Sequence, residues 1–144
     1  MNSVSERKPN YPWRLDTNER YREVVRSIMG LATASLLLPV FFARDFLGID
    51  PRTPLIRVFT SSLYWAWALL GLTVFSGVVF HYLSAKWIRL AWGQEATVFW
   101  RKVTDQFIDR ALDISFWVTV FAFIAGLILI LVFFSTVASI VPRG

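Results

Sequence analysis

The twenty-six residues from Val58 to Leu83, VFTSSLYWAWALLGLTVFSGVVFHYL, contain no Asp, Glu, Lys or Arg and hold the only histidine, His81. As a helix they rise roughly 39 Å at about 1.5 Å per residue, more than a hydrocarbon core of about 30 Å needs. The run reads as a membrane span. In a chain of 144 residues, a hydrophobic content of 56% is too high for an ordinary soluble fold, so the bilayer is the expected solvent for most of the molecule.

Two further stretches meet the same requirement. Val24–Ala43 is about the minimum length for crossing and carries Arg26 near its start, whose long stem can return the guanidinium to the phosphates. Ile114–Val141 is an uncharged run of 28 residues, longer than the core, so it tilts or emerges. Pro39 removes a backbone donor from the first span and is expected to kink it. The long charged leader argues against a cleaved signal peptide.

The connections carry the turn and cap signals. Residues 1–15 mix charge, two prolines and no apolar period, and read as a mobile tail ahead of a single membrane domain, 16–144. Asp16 with Glu19 resembles a capping box at the start of the first helix. Thr53 and Pro54 suit the start of the second, which meets no breaker until Gly93. Between the second and third spans, residues 94–113 place Trp100, Val103, Phe107 and Ala111 on one side of a helix. Arg101, Asp105, Asp109 and Asp113 form a ladder on another. The fold expected is therefore an all-α integral membrane protein with three spans plus this cytoplasmic amphipathic helix.

Lys and Arg set the orientation. Eleven of the fifteen lie in the N-terminal flank and the second connection, and four in the first connection and C-terminal tail. By the positive-inside rule the N-terminus faces the cytoplasm and the C-terminus the outside of an inner, plasma-type membrane. The basic residues flank spans instead of forming one soluble face, so anionic headgroups are the expected partner and nucleic acid is not. Arg22, Arg26, Lys86, Arg89, Arg101 and Lys102 are the candidate headgroup contacts.

Without cysteine, disulfides, thiolate metal sites and thiol nucleophiles are excluded, and one histidine leaves little for metal chemistry, so no metal or cofactor is expected. The polar groups that need explaining are His81, near the cytoplasmic end of its span, and the ladder Asp105, Asp109, Asp113. The expected arrangement lays the 94–113 helix flat on the membrane with its charges in water. The alternative folds it back, so that the carboxylates meet Lys86 and Arg89 in a pocket open to the cytoplasm. Small residues spaced by four, Gly30 with Ala34, Thr73 with Gly77 and Ala122 with Gly126, mark one close-packing face on each span.

Three spans, this orientation and a lone histidine in the second span resemble the architecture of the membrane-anchor subunits of succinate dehydrogenase. The resemblance is architectural, since the motifs of those subunits have no match here. Size and span number are also similar to those of bacterial diacylglycerol kinase, whose Glu and Asn motif is absent. The expected function is association, as an accessory subunit or homo-oligomer without catalytic chemistry of its own. Two alternatives stand beside it. One is a membrane-surface enzyme or a redox or quinone-linked anchor subunit using His81 and the acidic ladder. The other is a small oligomeric channel or pore-forming effector lined by Thr33, Ser35, Thr73, Ser76 and Thr119.

Overall fold

The computed structural model describes residues 12–47, 60–94, 97–98, 101–102 and 104–140. Among them are three long helices, α1 (Pro12–Leu47), α2 (Ser61–Ala91) and α3 (Asp105–Ile140). Two short strands, β1 (Thr97–Val98) and β2 (Arg101–Lys102), pair antiparallel between α2 and α3. At about 1.5 Å per residue the helices are roughly 54, 46 and 54 Å long, each well beyond a bilayer core. α2 and the Asp105–Val137 part of α3 are each long and apolar enough to cross a membrane.

α1 begins with Pro12 at a position where its missing amide is no loss, so Pro12–Leu15 are helical and Asp16 lies inside the helix instead of capping it. It continues through Pro39 to Leu47. Residues 1–11 and the Thr53–Pro54 signal lie outside the described residues. The described part of α2 starts after Thr60, whose carbonyl accepts from the Leu63 amide at 3.0 Å.

Gly93 ends α2 as expected. Its φ of 70° is the left-handed conformation that lacks a Cβ penalty in glycine. There the Gly93 amide donates to Leu90 at 2.8 Å and the Gln94 amide to Arg89 at 3.0 Å, the two bonds of a Schellman motif. The expected helix over 94–113 is corrected here. The chain leaves α2 at Gly93, forms the strand pair at 97–98 and 101–102, and resumes as a helix at Asp105, with the Phe107 amide donating to Thr104. Residues 105–113 are then the first turns of α3 itself, folded back along α2, not a separate helix lying flat.

The bundle follows a seven-residue repeat. Asn18, Val25, Ala32 and Pro39, the buried side chains described on α1, are each seven apart. On α2, Leu63, Leu70, Gly77 and Ser84 form one such series and Ala66, Thr73, Phe80 and Trp87 a second. The α1 and α2 series run against each other. Asn18 bonds Ser84, Val25 and Met29 lie over Gly77, and Ala32 packs with Leu70. A Cβ on Gly77 would meet the Met29 sulfur at 2.5 Å, so glycine lets α1 approach. α3 packs on α2 as well, where a Cβ on Gly126 would meet the Leu70 side chain at 2.9 Å and the Ala66 carbonyl at 3.5 Å. A spacing of 3.5 keeps each seam in contact over a long helix pair.

α3 buries Ile108, Leu112, Ser115, Thr119, Ala122, Gly126, Ile130, Phe133 and Val137. The expected apolar side of 105–113 is therefore rotated by one residue, with Phe107 61% exposed and Ile108 fully buried. Two apolar clusters result. One holds Val25, Phe80, Leu83, Trp87, Ile108 and Leu112, and the other Ala32, Ala66, Leu70 and Ile130. Between them lies a hydroxyl layer in which Ser76 donates to the Ser115 carbonyl at 2.9 Å and Thr119 to the same oxygen at 2.8 Å.

Candidate functional site

The charged ends of all three helices are brought to one end of the bundle. Arg14 of α1 approaches Asp109 of α3, and Asn18 of α1 hydrogen-bonds Ser84 of α2. The α1–α3 contact is the least extensive of the three helix pairings, and where these helices part they leave a cleft of about 320 Å³. Trp13, Arg14, Thr17, Asn18 and Tyr21 line its α1 wall. Asp109, Leu112, Asp113, Phe116 and Trp117 line its α3 wall, with Phe80 and Trp87 from α2.

Each wall follows from helical spacing. Arg14, Asn18 and Tyr21 are four and three residues apart and share a face of α1. Asp109, Asp113, Phe116 and Trp117 do so on α3. Asn18 is held by a reciprocal pair, its amide nitrogen donating to Ser84 Oγ at 2.8 Å and the Ser84 hydroxyl to Asn18 Oδ1 at 3.2 Å, both groups buried. Tyr21 meets Phe116 edge to face with centroids 4.9 Å apart, and Phe116 lies in turn against Phe80 and Trp117. The cleft thus has a fixed aromatic lining and a polar mouth.

Asp109 lies in the first nine residues of α3, before the uncharged stretch that begins at Ile114. Partial burial and the neighbouring Asp105 charge push its carboxyl above the usual carboxylate range. The Arg14 guanidinium, 3.9 Å away, and a hydrogen bond from Trp87 act in the opposite direction. Trp87 is the informative partner, because its ring is buried against Ile108 and Leu112 while its indole serves the carboxylate.

The expected grouping of six residues is only partly assembled. Asp109 and Asp113 share the cleft, and Asp105 stands one turn back toward the helix start. Lys86 and Arg89 do not meet them. The Lys86 ammonium lies 5.5 Å from the Tyr82 ring centroid and Arg89 Nε donates to Gln94 at 3.4 Å. His81 is on another side, in a depression of about 200 Å³ with Glu19, Arg22, Glu23 and Arg26. Arg22 and Arg26 are exposed, and Arg101 and Lys102 fall on β2. Among the described residues no three His, Asp or Glu side chains converge as a metal site requires.

Of the packing pairs, Thr73 with Gly77 and Ala122 with Gly126 are buried between helices. Gly30 and Ala34 are not. Both are exposed, and a Cβ on Gly30 would meet nothing within 4 Å, so that pair is corrected from a bundle contact to an open face. Sequence reasoning missed Arg14, Asn18 and Trp87. The signal for two of them was present, since Asn18 begins the seven-residue series of α1 and Trp87 ends one of those on α2.

A second groove, of about 560 Å³, runs along the α2–α3 face between Leu69, Leu72, Val118 and Phe121, with Asp113 and Trp117 at its end. Those two residues also line the first cleft, so the two depressions meet across the α3 ridge. Comparison with family models, with curated proteins and with solved structures gives no match to this chain.

Proposed function

We propose that this chain is a small polytopic protein of a bacterial-type inner membrane that acts by association, with other membrane subunits or with copies of itself. Its N-terminus and the charged end of the bundle face the cytoplasm and its C-terminus faces outside. α1 is the third span in this reading. Its uncharged stretch from Ser27 to Ala43 runs beside α2, and the seven-residue seam ties the two helices along that length. The excess of Lys and Arg in the N-terminal flank and second connection supports the orientation.

The observation that carries the association reading is the open face of α1. Gly30 and Ala34 repeat the small-residue spacing that α2 and α3 use for packing, yet are exposed beside Leu31, Leu37, Leu38 and Phe41. Small residues let a helix backbone approach another closely, which lipid tails do not require. A single cysteine at Gly30 tests it, since the chain has none of its own. In native membranes the G30C variant is expected to crosslink to a second copy or to one discrete partner. A chain that stays monomeric, uncrosslinked and without co-purifying subunits in mild detergent would sink the reading.

A further inference from the structure

We propose that the outward face of α1 pairs in parallel with the same face of a second copy of this chain, Arg20 of each copy seating in an acidic recess of the other. The proposal rests on the association reading of α1, and it names the partner, the register and the contact that selects it.

The register comes from the helix. Asp16, Arg20, Glu23, Ser27, Gly30 and Ala34 follow one another at alternating spacings of four and three, and Leu37 and Phe41 continue the series. All of these residues are exposed, on the side of α1 opposite Val25 and Ala32. Val24, Leu31 and Leu38, also exposed, make an apolar row beside them. A mean spacing of 3.5 keeps two long helices in contact, and Ser27, Gly30 and Ala34 hold the seam thin where it enters the membrane. Any helix packed on one side leaves such a series on the other. What selects a partner here is the charged end.

In a helix pair of this kind each seam residue enters a hole framed by four residues of the facing helix. For Arg20 in a parallel, in-register pair, those are the residues four and one before it, its own equivalent, and the one three after. The hole is therefore Asp16, Glu19, Arg20 and Glu23 of the second copy. The same four residues line a depression of about 410 Å³ on the surface of α1. Among the described residues no ion pair joins Arg20 to a carboxylate of its own copy. Across the pair each guanidinium meets three carboxylates and one like charge, so unlike contacts outnumber like ones. Two copies share one Lys and Arg asymmetry and insert in one orientation, which makes the α1 pair parallel. A face that meets itself about a twofold axis is closed, so this contact stops at two copies.

The test is disulfide formation at Gly30→Cys by the full chain in native membranes, with two epitope-tagged copies of different size and brief oxidation by copper phenanthroline. G30C is expected to link to a second copy. Adding R20E sets a carboxylate among carboxylates, and adding D16R/E23R sets cations around Arg20. Either change alone should lower the linked fraction about fivefold, the scale of exposed ion pairs lost twice by symmetry. Expressed together, the two variants should recover the yield as a mixed dimer, because the new carboxylate at position 20 then faces the new cations at 16 and 23. Helical circular dichroism and the thermal midpoint of the monomer check that each variant folds. G30C linking only to a different protein would overturn the second copy and leave association standing, whereas no link to anything would overturn both. An R20E yield equal to that of G30C alone, or folded variants that fail to rescue each other, would overturn the charged register.

Discussion

At the residue scale, Asp109 joins the three helices through Arg14 of α1 and Trp87 of α2. Its carboxyl is raised above the ordinary value by burial and by Asp105, so the folded chain holds that proton more tightly than the unfolded chain does. The sign follows. Stability from this group is fully present below the unfolded pKa of about 3.9 and is lost as pH rises through the folded value. Asp109→Asn removes the loss, so its thermal midpoint in detergent should gain on wild type between pH 4 and pH 7; a constant difference across that range would refute the linkage. A second residue prediction concerns the hydroxyl layer. Ser76→Ala deletes the bond to the Ser115 carbonyl, which Thr119 still satisfies, so the expected cost is about 0.6 kcal/mol, typical of hydrogen bonds within membranes. A loss beyond about 2 kcal/mol in an unfolding titration would mean that the layer does more than pack. The acidic ladder was visible in the sequence as a set of residues on one helix face. Its partners were not, because a spacing of four tells which side chains share a face and nothing of how the helix is rotated or what stands opposite. Those are settled by contacts such as Arg14 with Asp109, ninety-five positions apart in the chain.

At the element scale, the limits of the helices were partly legible. Gly93 reads as a stop because only glycine takes a φ of 70° without penalty, and α2 ends there. The strand pair was hidden, since residues 94–104 have no Asn-Gly or Gly-rich turn and their apolar spacing fits a helix equally well. The one-residue rotation of 105–113 has a related cause. Taken alone, that stretch would turn Phe107 toward lipid, but as the start of a 36-residue helix it inherits the register that Gly126 and Ile130 set against α2. The seven-residue seams escaped notice because Asn18, Gly77 and Ser84 are not hydrophobic, and periodicity is usually sought in apolar residues. They also give a contrast between glycines. Gly77→Leu would drive a side chain into Met29 and Val25, and is expected to separate α1 from α2 and lower the thermal midpoint. Gly30→Leu meets nothing within the chain, so its midpoint should match wild type in a monomeric preparation. If both substitutions proved equally disruptive there, the assignment of the two faces would be wrong.

At the scale of the whole molecule, helix length and charge position together fix where a bilayer would lie. The uncharged part of α3 from Ile114 to Val137 is roughly 36 Å long, and α2 from Ser61 to Leu83 about 34 Å, each matching a hydrocarbon core of about 30 Å with modest tilt. What remains is nine residues of α3, Asp105–Asp113, beside the last eight of α2, and the charged first turns of α1. With the bilayer so placed, folding this end back would leave Asp105 and Asp109 outside the core, since α2 runs on to Ala91 and α3 starts nine residues before its uncharged stretch. This arrangement predicts opposite accessibility for two single cysteines in the native, cysteine-free chain. Thr60→Cys, at the N-cap of α2, should react with a membrane-impermeant maleimide added to intact spheroplasts. Gln94→Cys, just past the Schellman turn at the other end of the same helix, should react only after permeabilisation. If both label from outside, α2 does not cross; if the pattern is reversed, the charged cleft faces outward.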